Sequence, residues 1–223
     1  MLHADDWAAI FLTAKLSILA TLILFSLGTP LAWWLAHTHS RFKNLIAAIV
    51  GVPLVLPPSV IGFYLLMAMG PKGPVGIVTE FLGLGTLPFT FPGLVVASVI
   101  YSLPFMVQPL QAGFESSNHS MLDAAATLGA SPLDRFFTVA LPMALPSFVV
   151  AGVMTFTHTI GEFGVVLMIG GNIPGISRVV SVQIYDHVEA FQYARAHHLS
   201  LFLLLFSFCV LFLMQRIRNR GIA

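Results

Sequence analysis

Five separated stretches of this chain, approximately residues 12–36, 45–69, 92–111, 143–169 and 196–214, are each apolar over a length that suits a membrane span. About 20 residues of helix cross a hydrocarbon core. A soluble helical core can be as apolar over one segment, but five such segments leave no solvated faces for a soluble bundle. Composition agrees, with 57% of the 223 residues apolar and 9% charged, against roughly 25% charged in a soluble domain. The expected fold is an all-α integral membrane protein, a single membrane domain over residues 1–223 with about five transmembrane helices in the lipid bilayer. The last stretch, SLFLLLFSFCVLFLM, is the clearest.

The other four spans are interrupted by Pro30, by Pro53, Pro57 and Pro58, by Pro104 and Pro109, and by Pro146. In lipid each carbonyl freed by a proline needs a neighbour, so these helices are expected to pack against protein or line a cavity. The first span lacks the basic flank of a secretory signal and is followed by more membrane sequence, so cleavage is not expected. Cys209, the single cysteine, lies inside an apolar run and cannot form an intramolecular disulfide. A net charge of +1 gives no argument for nucleic acid.

Lys and Arg set the expected orientation. With the N-terminus outside, the inner segments hold Arg41, Lys43, Arg135, Arg216, Arg218 and Arg220, and the outer side holds Lys15, Lys72, Arg178 and Arg195. The arginines at 216–220 abut the last span, where the rule is strongest. The N-terminus is therefore expected outside and the C-terminus in the cytoplasm. Residues 70–91 and 170–195 are then external, and the stretch DAAATLGASPLDRFFTVALP at 123–142 faces the cytoplasm.

That stretch reads as two short helices. Asp123 is expected to open the first by satisfying free amides, and Ala124, Ala125 and Ala126 continue it with little side-chain bulk. Gly129 and Ser131-Pro132 end it and restart the chain through Leu133, Phe136 and Phe137. Such a unit fits a groove on another protein; equally, it suits an amphipathic connector on the lipid surface.

The spacing of Asp123, Ala124, Ala125, Gly129, Val139, Leu141 and Pro142 resembles the signature loop of the permease subunits of bacterial ABC importers, with Asp for the usual Glu and Val for the usual Ile. VPLVLPPSVIGFYLL from Val52, MGPKGPVG from Met69, GEFGVV from Gly161 and GNIPG from Gly171 resemble the molybdate branch over nearly the whole chain. Tungstate and sulfate permeases of the same family are the alternatives. The resemblance implies a coupling role for the 123–142 loop and a permease homodimer in the inner membrane. It also implies two copies of a separate ATPase and an extracytoplasmic oxyanion-binding protein.

The residues independently argue against an ATPase on this chain. A phosphate-cradling loop needs Gly-Lys followed by Ser or Thr, and Lys15, Lys43 and Lys72 follow Ala, Phe and Pro. The LGLG run at residues 82–85 has the wrong spacing for a dinucleotide site and reads as an outer loop. The chain is expected to be a translocation subunit, not an enzyme, with no cofactor and no metal site. His197 and His198 read as interfacial, and Trp33 and Trp34 as membrane-interface anchors.

No Lys or Arg lies deep in a span, so a path for an oxyanion relies on neutral donors; Ser102, Thr155 and His158 are the candidates. Glu162 is an ionisable group at depth, but a carboxylate repels an anion, so a role in bonding nearby backbone is the favoured reading. Two other classes are disfavoured. An ion-coupled secondary transporter pairs acidic sites in repeated halves, and an intramembrane enzyme assembles a nucleophile with a base or metal; the sequence carries neither pattern.

Overall fold

The computed structural model describes residues 2–116 and 119–220, and every regular element among them is helical. The side chains of residues 119 and 217–220 are outside that description, as is Ala223. Four helices are long and apolar enough to cross a membrane, or five spans if one bent pair is counted as a single crossing. That agrees with the expected number.

Helix α1 (Ala4–His37) and helix α5 (Phe91–Ser116) form the centre. α1 begins where the His3 N–H donates to Asp6 Oδ2 at 2.8 Å, filling one free position of the carboxylate at the helix start. Its buried line Leu16, Ala20, Leu24, Gly28 and Ala32 alternates large and small side chains. Gly28 allows the close approach, since a Cβ there would stand 2.8 Å from Met106 Cγ on α5. Leu24, Ala32, Leu35, Met106, Val107, Leu110 and Phe114 make the larger core, which reaches α8 through Ala144 and Ala151.

The expected second span is not one helix. α2 (Lys43–Val55) and α3 (Pro58–Met69) meet at 114°. A residue before proline is driven from the helical region, and here two follow in succession: Leu56 is extended (ψ 139°) and so is Pro57 (ψ 138°), after which Pro58 starts α3. Each half is about 20 Å long at ~1.5 Å per residue, too short to cross alone. α4 (Pro74–Phe81) follows, and the Gly83 and Gly85 turn with positive φ is a loop, as the LGLG run suggests.

The expected fourth span is also altered at both ends. α6 (His119–Thr127) and α7 (Pro132–Arg135) lead into a π-helical turn (Phe136–Ala140), which runs on into α8 (Leu141–Gly161). The span is therefore Pro132–Gly161, not 143–169. The helix stops at Glu162 (ψ 129°), and residues 164–170 belong to a separate helix, α9 (Gly164–Gly170). α10 (Val180–Glu189) and α11 (Tyr193–Arg220) complete the chain. α11 is almost wholly exposed within the protomer, and Cys209 is exposed on it.

Contacts sort the helix ends into two groups. At one, Trp33 of α1 meets Phe114 of α5 and Phe136 of the π turn, each edge-to-face at 5.1 Å. At the other, Asp6 of α1 meets His187 of α10 and Arg195 of α11. Trp33 is thus partly buried and packs against the core at the first end, while Trp34 is the exposed member of the pair.

Candidate functional site

At the Trp33 end the 123–142 segment has a defined shape. Among the described residues α6 already runs from His119, so Asp123 sits inside the helix and not at its start, a correction to the capping role expected for it. Its side chain and that of Ala124 are exposed, whereas Ala125 is half-buried. The Gly129 N–H donates to Ala126 O and the Ala130 N–H to Ala125 O, both at 3.0 Å. With Gly129 at φ +85° this is the left-handed cap that glycine adopts without a Cβ penalty. Ser131 then caps α7, its hydroxyl accepting the Asp134 N–H at 3.2 Å.

The closing Val139, Leu141 and Pro142 serve the π turn. Pro142 has no N–H and its ring crowds the carbonyl four residues earlier. The helix widens there, with the Leu141 N–H donating to Phe136 O. Val139 lies within that turn, Leu141 is half-buried and Pro142 exposed. The widened turn rotates Phe136 against Trp33 and Phe114, fixing the loop to α1 and α5. Leu128 and Leu133, 88% and 72% exposed, flank the glycine turn as an apolar knuckle.

A second site lies deeper, where the two helix breaks meet. Pro58, at the α2–α3 elbow, packs on Gly164, at the α8–α9 break; a Cβ on Gly164 would lie 2.7 Å from Pro58 Cβ. Beside this contact Ser98 of α5 donates to Glu162 Oε2 at 3.0 Å, and the Ser181 hydroxyl donates to the Glu162 carbonyl at 2.6 Å. Glu162 Oε1 is buried with no partner among the described residues. One turn along α5, Ser102 Oγ lies 2.9 Å from His158 Nδ1 and 3.0 Å from Thr159 Oγ1. The His158 ring stacks on Phe105 at 3.9 Å and tilts against Tyr101 at 5.0 Å.

Of the expected pathway residues, Ser102 and His158 therefore touch. Thr155 lies a turn earlier, fully buried, its hydroxyl without a partner among the described residues. Ser102 is also fully buried, and only His158 reaches the surface. The cluster is built of hydroxyls, an imidazole and one carboxyl, and no Lys or Arg among the described residues bonds to it.

Sequence reasoning missed the tie at the Asp6 end. Asp6 is 1% exposed, and its Oδ1 lies 2.9 Å from His187 Nε2, 3.4 Å from Gln183 Nε2 and 3.5 Å from Arg195 Nη2. The Val180 N–H donates to Thr13 Oγ1 at 2.8 Å nearby. An acidic residue in a helix's first turn looks like an ordinary surface charge, and its partners lie more than 170 positions away.

Residues 28–221 match the family described as binding-protein-dependent transport system inner membrane component. The chain is 60% identical over 218 residues to the molybdenum transport system permease protein ModB of Azotobacter vinelandii, covering 98% of this chain and 96% of that protein. It is 35% identical to the protein of the same name from Escherichia coli K12, over 85% of this chain and 82% of the other. A crystal structure of a bacterial ABC transporter that imports the acidic polysaccharide alginate shares the fold, with a TM-score of 0.79 at 19% identity over 98% of this chain and 80% of that one.

Proposed function

The chain belongs to the binding-protein-dependent transport system inner membrane components, and we propose that it is the membrane-spanning subunit of an ATP-driven importer that carries molybdate across the inner membrane. It is a multi-pass inner membrane protein and a translocation subunit. The observation that carries the substrate is the 60% identity, across almost the whole of both chains, with a permease named for molybdenum transport.

The geometry supports a weak path and an external motor. An uncharged lining, with His158 positioned by Ser102, holds a dianion loosely, which favours release on the far side. A path built of charge-assisted donors would bind more tightly. Affinity then resides on an extracytoplasmic binding protein and the work on a separate ATPase, present as two copies against two copies of this chain. The loop of Asp123, Ala124, Ala125, Gly129, Val139, Leu141 and Pro142 is the coupling element in this reading, and the exposed Leu128 and Leu133 suit a groove on the ATPase. The N-terminus lies outside, the C-terminus in the cytoplasm, and residues 1–223 act as one membrane domain.

The test is uptake of labelled molybdate into proteoliposomes holding the permease with the neighbouring ATPase and binding protein. Uptake should require ATP and both partners, and should be competed by molybdate and tungstate more strongly than by sulfate. Uptake driven by an ion gradient without ATP, or competed best by sulfate, overturns the corresponding part of the reading.

A further inference from the structure

We infer that Gln108, aligned with Tyr101 and Glu115 on one face of α5, lines a water-filled oxyanion path closed by a second copy of this chain, and that its side-chain amide is a hydrogen-bond donor to the passing anion. The inference rests on the importer reading and extends it to a named residue.

The argument starts from helical spacing. Tyr101, Gln108 and Glu115 are seven apart, so they stand one above another on a single face. The opposite face carries Met106, Leu110 and Phe114, all fully buried against α1 and α8. Gln108 is exposed, although it lies eight residues before Ser116, about 12 Å along α5. An amide at that depth is costly if it faces hydrocarbon. α2 lies beside it, where a Cβ on Gly51 would stand 3.8 Å from Gln108 Nε2, so glycine leaves space next to the amide.

The two ends of the face are polar as well. Towards the helix breaks, Tyr101 is in contact with the His158 ring. Towards the Trp33 end, the exposed Glu115 accepts from Gln111 Nε2 at 2.9 Å and lies 3.6 Å from Lys43 Nζ. A dry subunit interface is depleted in charged groups at its centre, so a face running from imidazole through amide to an ion pair suits water. The α1–α8 side differs: its groove is walled by Ile18, Leu22, Leu145, Phe148 and Val149 and suits acyl chains. His158, Gln108 and the Lys43–Glu115 pair thus form successive neutral and then charged stations for an anion moving towards the Trp33 end.

The experiment uses the assembled transporter in native membranes, with Cys209→Ser removing the one native thiol. Gln108→Cys and, as the lipid-side control, Leu22→Cys are treated with a charged methanethiosulfonate, which reacts only with a hydrated thiolate. Gln108→Cys should react roughly ten times faster than Leu22→Cys or more. Gln108→Leu should lower molybdate uptake roughly ten- to a hundredfold, as for loss of a hydrogen bond to a charged partner, with Gln108→Asn retaining more of it at equal membrane abundance. Labelling as slow as Leu22→Cys overturns the path assignment whatever oxyanion is carried. Fast labelling with normal uptake by Gln108→Leu overturns the donor role. If the transporter proves to carry a different oxyanion, the labelling result is unaffected, so failure of the substrate reading is seen separately.

Discussion

Pro58 and Gly164, 106 positions apart in sequence, are packed so closely that the glycine has no room for a side chain: a Cβ there would stand 2.7 Å from the proline's Cβ and 3.5 Å from the Ser59 nitrogen. The contact joins the two helix breaks of the molecule. The proline ring is rigid and the second neighbour is backbone, so neither moves cheaply. Gly164→Ala is therefore expected to strain the joint at a cost of about 1–3 kcal/mol. It should lower both thermal stability in detergent and uptake. Gly161→Ala, three residues earlier with nothing within 4 Å, should behave as wild type. Equal effects of the two would mean that the breaks are not mechanically joined.

This joint also marks how far the sequence could be read. The four or five apolar segments of spanning length are legible because apolar length is a local signal, and the all-helical class follows from them. The breaks are not. Pro57-Pro58 read as an interruption of one span, but a 114° turn depends on α9 being there to receive the elbow. The second break is hidden in GEFG, where the sequence alone suggests that Glu162 bonds nearby backbone. It instead accepts from Ser98, 64 residues away, and its own carbonyl accepts from Ser181. In the 123–142 segment, Gly129 and Ser131-Pro132 are legible as turn chemistry, while Asp123 resembles a helix start because an acidic residue before an alanine run is a start signal, although the helix already runs from His119. The π turn was not legible, since only the observed backbone registers how the chain absorbs Pro142.

The Asp6 tie gives a prediction about stability. Removing a hydrogen-bond partner from the buried Asp6 carboxylate costs about 1–3 kcal/mol. His187→Ala should therefore lower the melting temperature and membrane abundance strongly. Arg195→Ala should do much less, because its side chain is 29% exposed and such pairs contribute about 1 kcal/mol or less. Melting curves of the two purified variants decide it; a larger loss from Arg195→Ala would show that His187 is not the principal partner.

At the deeper site, His158→Ala should reduce molybdate uptake while leaving abundance near normal, because His158 is the member of its cluster that reaches the surface. Ser102→Ala should act mainly on folding. It removes a partner from both His158 and Thr159 in a fully buried position, at about 1–3 kcal/mol. Comparing initial uptake rates per folded transporter separates the two, and equal specific activity for wild type and His158→Ala would remove His158 from the path.

Orientation is open to direct measurement. A reporter active only in the cytoplasm should work when fused after Ala223, and one active only outside should work when inserted near Gly85. The opposite pattern would place the Gly129 turn outside and end its coupling role, since ATP is hydrolysed on the inner face.

The Gly129 turn itself supplies the most decisive variant. Its φ of +85° penalises any side chain, and nothing lies within 4 Å of where a Cβ would be. Replacement therefore strains the turn by about 1–3 kcal/mol without clashing inside the protomer. Gly129→Ala carries that strain alone, and Gly129→Trp adds bulk between the exposed Leu128 and Leu133. If the turn enters a groove on the ATPase, Gly129→Trp should abolish co-purification of the ATPase and ATP-driven uptake, while Gly129→Ala loses only part of either. A connector on the lipid surface tolerates the tryptophan, which is favoured at a membrane interface. Ala126→Glu, exposed one turn earlier, should weaken ATPase association similarly, with the membrane abundance of all three variants close to normal. Full transport by Gly129→Trp with the ATPase still bound would show that this segment only connects α5 to α8.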